Sequence, residues 1–173
     1  MKLFPLSIAA VVIASSLLAA PARAAEQPLD PPANVLAAFS QLHEIDTPSG
    51  LPAQIRDGTF LLPDGKKLVG SYWVLAAPGG AWNATDVVSD PTLPGRRLHF
   101  AGCDATLCVL HYERGGIAHV HMVVTLALAN GQWRATWMAM GQPAMKDLAE
   151  LKLLLENRSS AGYFDGAQAA INY

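Results

Sequence analysis

Basic charge is scarce in this chain. Its 173 residues hold 12 lysines and arginines against 14 acids, for a formal net charge of −2. No basic run stands out, which argues against nucleic acid or an anionic membrane surface as partner. Cysteine is scarcer still, with only Cys103 and Cys108 in "CDATLC". Two thiols are too few for a structural zinc site, and their spacing is not that of a C-x-x-C redox motif. There is no G-x-S-x-G elbow, no P-loop, no H-E-x-x-H and no glycine-rich dinucleotide fingerprint. Known nucleophile, phosphate and dinucleotide signatures are therefore missing, and no internal repeat marks a solenoid.

What is present begins with an export signature. Lys2 precedes the apolar run "SIAAVVIASSLLAA", and Ala22-Arg23-Ala24 fits a small-x-small cleavage site. Residues 1–24 are expected to be a cleaved signal peptide, and 25–173 one domain, periplasmic or secreted and not membrane-bound once cleaved. In that oxidising setting Cys103 and Cys108 should form a disulfide that pins a small loop.

Hydrophobic periodicity sets out the elements. "DPPANVLAAFSQLHE" (30–44) reads as a helix, with Asp30 as cap and Val35, Phe39 and Leu42 on one face. "TFLLPDGKKLVGSYWVLAA" (59–77) reads as a strand, a Pro-Asp-Gly turn and a second strand. Residues 78–97 are rich in Pro, Gly, Asp and Asn, a long loop of the kind that carries function. It contains Trp82, either a partner anchor or a ring tucked under its own loop. "RLHFAG" is a strand, 106–140 a three-stranded meander, and "QPAMKDLAELKLLLENR" (142–158) a helix with Leu148, Leu151 and Leu155 on one face. The tail aromatics Tyr163, Phe164 and Tyr173 suggest docking. The fold class is α+β: an antiparallel sheet of about five strands, an N-terminal helix, and a C-terminal helix packed on one face. The Trp133/Trp137 stripe is expected to be the face that receives that helix.

The meander register decides where the histidines point, because side chains alternate between faces along a strand. Asn130-Gly131 is the preferred two-residue type I′ turn. It pairs Leu128 with Trp133, Leu126 with Ala135, Val124 with Trp137 and Met122 with Ala139, an apolar face. In the preceding hairpin, matching apolar to apolar demands an odd loop, and Arg114-Gly115-Gly116 supplies three residues. Tyr112 then pairs with Ala118, Leu110 with Val120 and Cys108 with Met122. His111, His119 and His121 gather on the opposite face, flanked by Glu113 and Thr125.

Three histidines on one face are a metal pattern, since three imidazoles can bind zinc and leave a position open for water. Their arrangement resembles the three-histidine zinc site of the carbonic anhydrases, which implies a metal-dependent hydrolase or lyase with Glu113 as base or orienting group. The competing readings are a pH-sensitive patch and ordinary surface histidines. His43 and His99 are isolated in sequence and receive no role. The C-x4-C loop beside an antiparallel sheet resembles the periplasmic lysozyme inhibitors of the Ivy type. That resemblance implies an inhibitor acting on a cell-wall enzyme, although this loop reads Asp104-Ala105-Thr106-Leu107 where that family has an inserting histidine. With no catalytic motif, the primary expectation is a small exported binding or accessory protein whose partner is another envelope protein or a small ligand. Trp82, Asp104 and Glu113 are its candidate contacts. No cofactor motif is present, and zinc at His111, His119 and His121 is the cofactor the residues would admit.

Overall fold

The computed structural model describes residues 33–67, 73–116, 119–141, 144–156 and 165–166. The expected signal peptide and the tail aromatics Tyr163, Phe164 and Tyr173 lie outside these residues.

The fold is α+β, built on one twisted sheet. Strands β1 (His43–Ile45), β3 (Arg96–Cys103), β4 (Leu107–Arg114), β5 (Val120–Ala129) and β6 (Gln132–Gly141) run antiparallel in the order β1-β3-β4-β5-β6. Two short strands complete it. β2 (Leu75–Ala76) runs parallel to the start of β3, and β7 (Asp165–Gly166) pairs with β6. Helices α1 (Ala33–Ala38), α2 (Ala53–Arg56) and α3 (Leu148–Glu156) supply the cover.

The first helix is shorter than the pattern predicts. It passes into a 3-10 turn at Phe39–Gln41, and His43 and Glu44 belong to β1 rather than to the helix. Val35, Phe39 and Leu42 are nevertheless the buried positions, as their spacing requires. The strand-turn-strand expected over 59–77 reduces, among the described residues, to a bridge between Leu61 and Lys67 and to β2. α3 starts later than the pattern predicts, at Leu148, where Asp147 opens it. The Asp147 carboxylate accepts from the Glu150 amide at 2.9 Å, satisfying a free N–H of the first turn. Leu148, Leu151 and Leu155 form its buried face.

The Asn130-Gly131 turn forms with both residues at positive φ, 52° and 75°. It sets Leu128 against Trp133 and Leu126 against Ala135, as expected. Beyond that the expected ladder fails. The register shifts between Leu126 and Thr125, leaving Thr136 as an extra residue on β6, so Trp137 faces Thr125 instead of Val124 and Met122 faces Met140 instead of Ala139. The Thr136 hydroxyl lies 2.9 Å from that of Thr125 and satisfies the irregularity locally. A bulge reverses which side later residues face. Trp133 therefore packs with Tyr112, Leu110 and Met122, whereas Trp137 packs with Val109, Val123 and α3.

The expected placement of the C-terminal helix is thus half right. α3 covers the Trp137 side together with α1, Phe39 and Leu42, and Trp133 lies under α2, Phe60 and Trp73. Both faces of the sheet are buried. The histidine-bearing face is a second core and not a solvated surface.

Candidate functional site

The site sits on that second face, where β3, β4 and β5 lie side by side. Glu113 in β4 is the cross-strand partner of Arg97 in β3 and of His121 in β5. His111, two residues earlier on β4, shares its face. The β4–β5 connection is longer than the expected three residues. Arg114 and Val120 are the last pair, and Tyr112 meets Met122 rather than Ala118. The displacement is even, so the face assignment survives although every expected pair changes. Gly115 and Gly116 serve a different end from the tight turn. A Cβ on Gly115 would collide with the Asn83 carbonyl and Ala84, and Gly116 bridges to Thr85. The glycines let the 77–95 loop dock against the hairpin. That loop is held from inside by Asn83, whose side-chain amide donates to the Asp90 and Leu93 carbonyls at 2.7 and 3.0 Å.

His99 enters through a second irregularity. Leu98 pairs with Tyr112 and Phe100 with His111, so His99 is an extra residue on β3. Its ring stacks on His111 at 4.8 Å between centroids and lies 5.1 Å from His121. Strict alternation would have placed Phe100 on the face of Leu98, but it lies on the histidine face instead.

Glu113 is the electrostatic centre. Its side chain is only 2% exposed; Arg97 forms an ion pair with it, and nitrogens of His99, His119 and His121 lie within 4.0 Å of its oxygens. Arg97 Nε donates to Oε1, and His119 Nε2 pairs with Oε2. His121 Nε2 stands 4.0 Å from Oε2. Burial works to raise the Glu113 carboxyl, but the hydrogen bonds from Arg97 and His119 outweigh it and hold it below its ordinary value. Burial also lowers His99 and His121, and His111 is pushed down to about 3 by burial beside His99. These three imidazoles are neutral at neutral pH, the form that binds metals.

Among the described residues, two overlapping triads have ligand atoms within 4.8 Å of one another: His99–His111–His121, and Glu113–His119–His121. They differ in what remains available. His111 is spoken for on both sides. Its Nδ1 lies 3.1 Å from the Met122 carbonyl, which can only accept, so Nδ1 carries the proton. Its Nε2 accepts from the Met145 amide at 3.2 Å. No lone pair is left for a metal. The second triad is held by side chains and not by the backbone: His119 Nε2 and Glu113 Oε2 partner each other, a contact that an ion between them would replace, and His119 is half exposed. Two buried nitrogens nearby, His99 Nε2 and His121 Nδ1, have no hydrogen-bond partner.

The sequence-derived residues therefore separate. His111 and His119 fall in different triads joined by His121, so the expected three-histidine set is not one cluster. Glu113 is central. Trp82 reaches the site, with its ring 5.3 Å from His119 and the Arg97 guanidinium 5.2 Å above it. Asp104 does not belong. It lies in the turn at the far end of the β3–β4 hairpin, where its carboxylate accepts from the Thr106 and Leu107 amides at 2.6 and 2.7 Å. Cys103 and Cys108 close that end as a disulfide. Sequence reasoning missed Arg97 and His99, although the alternation of Arg97, Leu98 and His99 carried a polar face. No helix among the described residues is long and apolar enough to cross a membrane.

No known protein family, curated sequence or solved structure matches the chain.

Proposed function

We propose that this chain is an exported protein that binds a divalent transition metal, zinc by ligand type, through Glu113, His119 and His121. The observation that carries the reading is the second triad: Glu113 in β4, His121 in β5 and His119 just ahead of β5, their ligand atoms within 4.8 Å, with no histidine lone pair consumed by a backbone donor. One carboxylate and two histidines form a known zinc ligand set that keeps an open fourth position. Ligands on a tetrahedral ion stand roughly 3.3 Å apart, so the three side chains need only small adjustments to close on it. Arg97 on the other oxygen of Glu113 fixes the carboxylate from the second shell of contacts, as such sites require. Export is supported by the signal-like N-terminus and by the disulfide.

The test is metal analysis of untagged protein followed by calorimetric zinc titration. One zinc per chain is expected, with affinity reduced at least tenfold in His119→Ala and in His121→Ala. Absence of uptake by the folded protein, or unchanged affinity in both variants, removes the reading. N-terminal sequencing of exported protein should begin at Ala25, and an intact Met1 would refute cleavage at this site.

A further inference from the structure

Four side chains close a ring around the solvent side of the triad. Arg97 pairs with Glu113, Glu113 with His119, His119 meets the Trp82 ring edge-on at 5.3 Å, and Trp82 lies 5.2 Å under the Arg97 guanidinium. Trp82 comes from the docked loop, Arg97 and Glu113 from β3 and β4, and His119 from the residue just ahead of β5. The ring holds one carboxylate. Asp104, the other acid expected at the site, is used up in its own turn.

We propose that the metal's open position takes a small oxyanion, held by Arg97 beside Trp82. The inference rests on the metal reading above. Its added argument is charge. A divalent ion brings two positive charges to a site whose carboxylate is already shared with a guanidinium. The sum is strongly positive, and the site is walled by an indole and a buried sheet face. Exposed water screens such an excess poorly there, so an anion beside the ion is favoured. Arg97 suits the role because only its Nε is committed to Glu113. The rest of a planar guanidinium can present parallel donors to a carboxylate or phosphate. The indole face limits the space to a compact ligand, and His119, about half exposed, marks the route by which it enters.

Cobalt(II) in place of zinc gives a direct readout, because its visible absorption reports the ligands on the ion. Wild-type protein loaded with cobalt(II) is titrated with inorganic phosphate, with acetate, and with chloride as control. A saturable spectral change with phosphate or acetate, well below any chloride effect, is the expected result. Which of the two acts identifies an inorganic or a carboxylate ligand. In Arg97→Gln the anion affinity of the cobalt-loaded protein should fall at least tenfold, over and above any cobalt affinity lost with the Arg97–Glu113 contact. Arg97→Lys, which keeps the charge but not the fork, should fall between them and guards against a folding defect. Cobalt bound with a spectrum unmoved by both anions, or full anion affinity in folded Arg97→Gln, overturns the proposal. Failure of wild-type protein to take up cobalt overturns it as well, by removing the metal reading beneath it.

Discussion

The two histidine triads share His121 and lie on one sheet face, yet one is closed by the fold and the other is left open. In the first, His111 spans from the Met122 carbonyl to the Met145 amide and stacks against His99 and Phe100. It ties β4, β5 and the approach to α3 together. In the second, Glu113 and His119 meet at the mouth of the site under a loop tryptophan. The same residue type thus does two jobs within one stretch of hairpin. What separates them is whether a backbone donor has taken the ring's lone pair.

That contrast can be broken most severely at His111. His111→Ala leaves the Met145 amide and Met122 carbonyl without their partner and opens a cavity, so a loss of about 3 kcal/mol or more is expected in urea unfolding. Zinc affinity of the protein that remains folded should change by less than about threefold. A large loss of affinity with little loss of stability would reverse the assignment of the two triads.

Acid sharpens the same point. His99, His111 and His121 all bind protons less readily folded than unfolded. Below about pH 6.5 the unfolded chain gains protons that the folded chain refuses, so stability is full above that pH and falls as pH drops. For His111 the loss continues down to about pH 3. Glu113, lowered as well, adds in the same direction once pH falls below its ordinary range. Unfolding free energy of metal-free protein should decline through pH 6 and 5, and more gently in His111→Gln. A flat profile would contradict the burial of neutral imidazoles.

Gly115 tests the loop that walls the open triad. Gly115→Ala places a methyl against the Asn83 carbonyl and Ala84. A cost of about 1–3 kcal/mol is expected, with a shift in tryptophan fluorescence as the loop bearing Trp82 lifts away. An unchanged emission spectrum and unchanged stability would mean that the loop is not docked there. The smallest effect on stability belongs to His119→Ala. Its side chain is half exposed, and water can take over its contact with Glu113, so a change of about 1 kcal/mol or less is expected. Its zinc affinity should nonetheless suffer most clearly.

Much of the fold was legible from particular residues. The Asn130-Gly131 turn, the buried faces of α1 and α3, and the parity of the β4–β5 hairpin all follow from local preference and periodicity. They set Glu113, His111 and His121 on one face before any coordinates. The loop length at Gly115 was misread because a glycine needed for close approach looks the same in sequence as one needed for a turn. Trp137 was placed on the wrong face because a bulge at Thr136 costs one residue and leaves no periodic trace. His99 was passed over because it stands alone in sequence, although its alternation with Arg97 set both on one face; the bulge beside Leu98 hid instead the turn of Phe100 toward that face.

The sequence by itself determined the alternation of faces, the helix stripes and the disulfide loop, since these depend on neighbours a few residues apart. Tertiary structure alone decided that both faces are buried, that Arg97 and His99 join the site, and that His111 is withdrawn from it. Each of those depends on groups distant in the chain: α3 covering the second face, two bulges shifting register, and the Met145 amide filling the His111 lone pair.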